Sequence, residues 1–199
     1  RFEKNNQKNL PKNLPHYLGL DFSETSLRDA QKSLGTIQSQ FCKKNDFACQ
    51  LNCLMGVALV AADLNKPMAL KSNSFDKACC SLLIPFVNDP VFTTKELLRV
   101  LKPGKKLVVT SLKPHADLSE IYRNFLDLAK DKKEILEARK MLSNSGRIKQ
   151  KESVGFYHFF SDSELVAIMV AAGAKHVRVF KSFANQANVV VCEKPKRGK

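Results

Sequence analysis

Asp21 closes the apolar stretch "HYLGL" (His16–Leu20), and a polar turn with Ser23 follows it. A short apolar run bounded by Pro15 and a turn reads as a buried strand, with Ser23 as N-cap of a following helix. A carboxylate at the carboxyl end of such a strand stands where open α/β sheets bind ligands. It can accept two hydrogen bonds from a ribose diol, or it can help to cap the helix, and the stretch alone leaves both roles open. Asp63, at the end of "VALVAAD" (Val57–Asp63), reads on its own as a plain strand-ending turn residue. Ser81, in "KACCSLLI", reads on its own as a strand serine bonded to nearby backbone.

The elements that must position these residues follow from the alternation of apolar runs and helix signals, which implies βαβ units and a mainly parallel sheet. Strands are expected at 16–21, 57–63, 77–84, 106–112, 177–183 and 188–194. The last two are joined only by "ANQA", too short for a parallel crossover, so they form an antiparallel hairpin. Capping boxes at Thr93/Glu96, Asp117/Glu120 and Ser161/Glu164 mark helix starts, and Phe92/Leu97 and Phe160/Leu165 occupy hydrophobic-staple positions. Helices are therefore expected near 94–101 and 162–172, stopped by "KPG" and by Gly173. Arg99 and Lys102 read as cations at the negative end of the first of these helices. Asp76, in the turn "NSFD", reads as structural. Between 113 and 160 a helix runs through Leu118–Ala129 and a second, more basic one covers 133–142; an insertion of this length suits a lid or binding element, or extra cover for a sheet edge.

The chain has 199 residues with 44% hydrophobic content, enough for one core and one domain. No apolar run is long enough to span a bilayer. The opening "RFEKNNQKNLPKNLP" has the pattern of neither a signal peptide nor an amphipathic helix. Six cysteines without zinc-type spacing, three of them (Cys79, Cys80, Cys192) in strand-like runs, favour a reducing, cytoplasmic compartment and no metal; Cys42, Cys49 and Cys53 lack an intervening histidine. The net charge of +14 invites a nucleic-acid reading, but the cations are spread along the chain without an aromatic-interleaved RNA motif. A solvated basic surface is the favoured reading, with an anionic partner left open.

Taken in order, "YLGLDFSETSL", "SNSFDKACCSLLIPFVNDP" and "ELLRVLKPGKKLVVTSLKP", with the reversed terminal strand, resemble the class I S-adenosylmethionine-dependent methyltransferases, in the group acting on small molecules and quinone or lipid precursors. The resemblance runs from about residue 16 to 195. It implies an α/β, Rossmann-like, doubly wound and mainly parallel sheet with an antiparallel last strand, and a helical insertion (113–160) after the family's fifth strand. It implies S-adenosylmethionine as cofactor, Asp21 on the ribose hydroxyls, Phe22 against the adenine, Asp63 and the Leu64 amide at the adenine edge, and Ser81 and Leu82 along the methionine part. Acceptor-side candidates are Tyr122, Arg123, Tyr157 and His158, with His115, Tyr157 and His158 as the polar groups available for catalysis; "GFYHFF" (Gly155–Phe160) can line an apolar pocket or belong to the core. One departure is expected to matter: the family's glycine-rich loop would precede residue 16, where no glycine stands. The chain is accordingly read as an N-terminally incomplete methyltransferase domain over 1–199. The competing readings are a non-catalytic methyltransferase-like binding module and an RNA methyltransferase.

Overall fold

The structure, a computed structural model, describes residues 17–41, 56–128 and 131–196. The chain divides into two compact units, Arg1–Leu64 and Asn65–Lys199.

In the first unit β1 (Tyr17–Asp21) and β2 (Val57–Ala61) pair in parallel, in register from Tyr17↔Val57 to Asp21↔Ala61. A Cβ at Gly19 would stand 2.7 Å from Leu59 Cδ2, so the end of that leucine side chain would have to move aside. Helix α1 (Glu24–Phe41) starts as expected, with Ser23 Oγ accepting from Ser26 N at 3.2 Å. β2 stops at Ala61, short of the expected 63, yet Ala62 N still donates to Asp21 O at 2.9 Å.

The second unit holds a four-stranded sheet in the order β3-β4-β6-β5, built from β3 (Phe75–Ser81), β4 (Leu101–Leu112), β5 (Lys175–Ser182) and β6 (Ala187–Glu193). β3 and β4 are parallel, and β6 runs antiparallel to both β4 and β5. This is the α/β, Rossmann-like arrangement with a reversed last strand. One sheet face carries Cys80, Leu107, Val109, Val190 and Cys192 into a core with Leu97 and Leu98 of α2 (Pro90–Val100) and Leu165 and Met169 of α5 (Asp162–Ala171). Burying each large apolar side chain of this set contributes about 1.5–3 kcal/mol. Cys80 and Cys192 act there as small hydrophobes, burial pushing their thiols up to about 12 and about 11; Cys79 points the other way and is exposed.

The start of α5 is the expected capping box: Ser161 Oγ accepts from Glu164 N, and Ser161 N donates to Glu164 Oε2 at 2.8 Å. Its end is a Schellman turn through Gly173 (φ +93°), with Ala174 N on Met169 O at 3.0 Å. At α2 the expectation fails. The cap is Asp89, whose Oδ1 accepts from Phe92 N at 2.9 Å, with Pro90 in the first turn. Thr93 lies inside the helix, and Glu96 is used elsewhere. α2 then passes into β4 at Leu101, because "KPG" bulges within the strand between its pairings at Leu101 and Lys106. Two further helices occupy the insertion, α3 (Leu118–Leu128) and α4 (Lys132–Ser153); the second runs 22 residues, well past the expected 142.

Lys102 is also corrected, while Arg99 does stand in the last turn of α2, where it was expected. Lys102 Nζ meets Asp76 Oδ2 at 2.8 Å, and Lys105 Nζ reaches the same carboxylate at 3.4 Å. The cation at the carbonyl end of α2 is Lys194, whose Nζ donates to Arg99 O and Leu101 O at 3.0 and 2.8 Å. Arg99 instead turns back to Glu96 (Nε to Oε1, 2.6 Å) and donates to Met68 O and Leu70 O, while Glu96 Oε2 accepts from Met68 N. This pair pins the segment 68–72 onto α2.

The Arg99 hydrogen bonds hold the Glu96 carboxyl below the usual carboxylate range, so its stabilisation is complete above about pH 4.3, the unfolded value, and is lost as pH falls through the lower folded value. Glu96→Gln should lower stability by about 1–3 kcal/mol at neutral pH and flatten the acid limb of a melting-temperature profile. An unchanged acid limb in thermal melts would assign that limb to other carboxylates.

Candidate functional site

Within the first unit, in-register parallel pairing brings the carboxyl ends of β1 and β2 side by side. Asp21 is exposed there. Its Oδ1 accepts from Ser23 N at 2.7 Å, its only side-chain bond among the described residues. It thus helps to cap α1 through one oxygen, as one of the two roles read from the sequence expects. Phe22, directly after it, is 79% exposed, a large aromatic facing solvent beside an acceptor-only carboxylate. Asp63 and Leu64 follow the end of β2 and are half-buried.

In the second unit the equivalent strand end is that of β3. Ser81 Oγ lies 3.2 Å from Thr110 Oγ1, and Leu82 N donates both to Thr110 O at 2.9 Å and to its hydroxyl at 3.1 Å. Leu82 is held at φ +55°, a left-handed conformation that costs a branched residue on the order of 1–2 kcal/mol. The turn steers the chain out of the sheet into a single 3-10 turn, Ile84–Phe86, with Ile84 and Pro85 buried and Phe86 directed outward.

Phe86 is where the insertion returns. Its ring meets Tyr157 edge-on at 4.6 Å between centroids and Phe159 at 6.3 Å, and Phe156 packs on Tyr157 at 5.0 Å. Lys151 Nζ lies 5.0 and 5.2 Å from the ring centroids of Phe156 and Tyr157 and 3.3 Å from the Tyr157 hydroxyl. Tyr157 is therefore joined to the exit of β3.

The two histidines are placed elsewhere. His158 points away, its Nε2 3.4 Å from Glu164 Oε1 and its ring on Phe160 at 4.7 Å, which places it at the start of α5. Glu164 is held below the usual carboxylate range by the Ser161 hydroxyl before any influence of His158. His115 sits at φ +54° in the turn after β4, its backbone N donating to Glu152 Oε1 at 2.9 Å and its side chain 87% exposed. Tyr122 is half-buried on α3, and the Arg123 side chain lies outside the described residues, as do Cys42, Cys49 and Cys53. Sequence reasoning missed Phe86 and Thr110; "SLLIPF", an aromatic one turn beyond a strand end, was the available signal for the first. Among the described residues no cluster of three or more His, Cys, Asp or Glu could hold a metal, and no helix is long and apolar enough to cross a membrane.

Solved structures share this fold. A possible exported protein from Bordetella parapertussis is 16% identical with a TM-score of 0.57, over 90% of this chain and 53% of that one, so the chain spans about half its length. A methyltransferase from Thermotoga maritima, described as a possible histamine N-methyltransferase, is 22% identical with a TM-score of 0.54, over 89% of this chain and 72% of that one. Phosphoethanolamine N-methyltransferase 2 of Haemonchus contortus, solved with phosphomonomethylethanolamine and S-adenosylhomocysteine, is 15% identical with a TM-score of 0.54, over 90% of this chain and 43% of that one. No curated protein sequence matches the chain. The family of the methyltransferase domain matches residues 4–109, more than half of the chain and both strand ends described above, and the protein belongs to that family.

Proposed function

We propose that the protein is an S-adenosylmethionine-dependent methyltransferase acting on a small-molecule or lipid- or quinone-precursor acceptor. The observation that carries this reading is the end of the β1–β2 pair, where a strand-end carboxylate, an exposed aromatic and a second acid two residues beyond the last paired position occur in a chain of the methyltransferase family.

That donor set fits an adenosine. Asp21 is an acceptor-only group suited to a ribose diol, Phe22 offers an uncovered ring face for a purine, and Asp63 with the Leu64 amide matches the amine and ring nitrogen of the adenine edge. Ser81 and Leu82 are assigned to the methionine part. When bound, S-adenosylmethionine supplies an electrophilic methyl carbon, so the protein's task is alignment, for which orientation alone contributes on the order of 7–11 kcal/mol. On the acceptor side Tyr157 is the favoured residue, because it is fixed against Phe86 just beyond the β3 exit. Tyr122 and Arg123 remain assigned to the same insertion, His158 and His115 to its margins. Free thiols at Cys79, Cys80 and Cys192 support a reducing, cytoplasmic setting.

Asp21→Ala should weaken S-adenosylmethionine binding by at least about tenfold, the loss of charge-assisted hydrogen bonds, while the far-ultraviolet spectrum stays unchanged. Calorimetric titration decides it: equal affinity in mutant and native protein would leave Asp21 as a cap only, and no binding by the native protein would favour the non-catalytic module.

The structure separates Tyr157 from His158, so alanine replacements should part company. Tyr157→Ala should reduce methyl transfer at least about tenfold with cofactor affinity within twofold, and His158→Ala should change both by less than about threefold. S-adenosylhomocysteine release, measured against titrated cofactor affinity, reads the difference. Equal losses in transfer and affinity for Tyr157→Ala would place that residue in the core instead.

A further inference from the structure

Helix α4 presents a face that the methyl-transfer reading does not use. Over its 22 residues, about 33 Å, the spacing i, i+4, i+3 puts Lys132, Leu136, Lys140, Arg147 and Lys151 along one stripe, which Val154 continues just past the helix end, and all six are exposed. Leu136 and Val154, near its two ends, are 54% and 73% exposed, large apolar side chains with little cover. The acids whose side chains are described, Glu134 and Glu152, lie on the opposite side with Ile148, half-buried. Glu152 is already engaged by the His115 amide.

The stripe's far end is built with some care. α4 stops in a Schellman turn: Phe156 N donates to Lys151 O at 2.8 Å and Gly155 N to Glu152 O at 2.9 Å, with Gly155 at φ +75°. That turn throws Phe156, 68% exposed, out beside Val154, while the Lys151 ammonium is held against its ring.

We infer that this face of α4 docks on an anionic lipid bilayer, its lysines and arginine on the headgroup phosphates and Leu136, Val154 and Phe156 in the interfacial layer. The alternative polyanion, an RNA backbone, would satisfy the cations equally. It offers no apolar phase to receive an aliphatic leucine and valine at the ends of the stripe, and a bilayer interface does. The surface stands independently of which acceptor is methylated.

Co-sedimentation with vesicles tests it. The protein should pellet with vesicles of equal parts phosphatidylcholine and phosphatidylglycerol at least about tenfold more strongly than with phosphatidylcholine alone, and high salt should release it. Lys140→Glu with Arg147→Glu should lower that partition at least about tenfold, and Val154→Ser with Phe156→Ser should lower it about fivefold or more. Helicity measured by circular dichroism accompanies both pairs; should one pair fail to fold, the other decides alone. Equal retention on both vesicle types overturns the proposal. So does a loss confined to the charge pair together with displacement of the protein from vesicles by a polyuridine oligonucleotide, which would make the stripe a polyanion site.

Discussion

Parallel pairing forces neighbouring strands to end on the same side, and the chemistry assigned to this chain depends on that constraint twice. In the first unit the register Asp21↔Ala61 extends by one more bond, Ala62 N to Asp21 O, so the next residue after it, Asp63, emerges beside the strand-end acid. In the second unit Ser81↔Thr110 is likewise extended by Leu82 N on Thr110 O. The exits then differ. After Asp21 the chain turns into a helix under two short caps, leaving Phe22 uncovered. After Ser81 a left-handed leucine, bonded through its amide to Thr110, directs the chain into a 3-10 turn whose outer ring is Phe86. A carboxylate with a solvent-facing aromatic and a polar strand end leading to an aromatic cluster are two different surfaces from one backbone rule.

The reversed strand β6 fixes the second unit. It lies between β4 and β5, and its inward residues Val190 and Cys192 face α2 and α5 with no exposure. The hairpin before it holds Phe183, Ala184 and Asn185 at positive φ, a conformation that ordinary residues adopt only under tertiary constraint. The constraint is visible in Gln186, buried, whose carbonyl accepts from Lys113 N at 3.0 Å and whose side chain accepts from Asp117 N at 2.7 Å. The hairpin tip is thereby tied to the entry of the insertion. One group is left over: Asn188 Nδ2 is buried without a partner among the described residues, although its oxygen accepts from Lys181, which also binds Asp162. Lys181 of β5, shared between Asn188 and the first residue of α5, offsets part of that cost.

Strand identity and order were legible because apolar runs of five to eight residues between turn signals have few other uses, and the reversed hairpin followed from the length of its link alone. The first turn of α2 was not. Two overlapping signals compete there, Asp89-Pro90 and Thr93/Glu96, and the earlier one wins because Glu96 is taken by Arg99 one turn on and by the amide of Met68, a partner 28 residues away in sequence that no local pattern contains. The reading of Lys102 failed for the same reason, since Lys194 reaches the α2 carbonyls from the far end of the chain. At the candidate site the strand-end residues could be read one at a time, whereas the pairing of Tyr157 with Phe86 joins segments seventy residues apart and only the fold creates it.

The insertion shows how a local rule sets which side chains face the β3 exit. Its long helix was expected to end before "SNSG", yet it continues through Gly146, where nothing crowds the backbone and the cost of glycine, about 1 kcal/mol, is offset by the turns on either side. The helix stops only at Gly155, whose left-handed geometry locks the next residue onto Lys151. Five residues later the capping box at Ser161 locks the chain again. Between these fixed ends the backbone has room for one extended run, in which side chains alternate. Tyr157 and Phe159 face Phe86, and His158 and Phe160 face the start of α5. The parity of the distance from Gly155 to Ser161, more than the identity of any residue between them, therefore determines that a phenol and not an imidazole stands against the β3 exit.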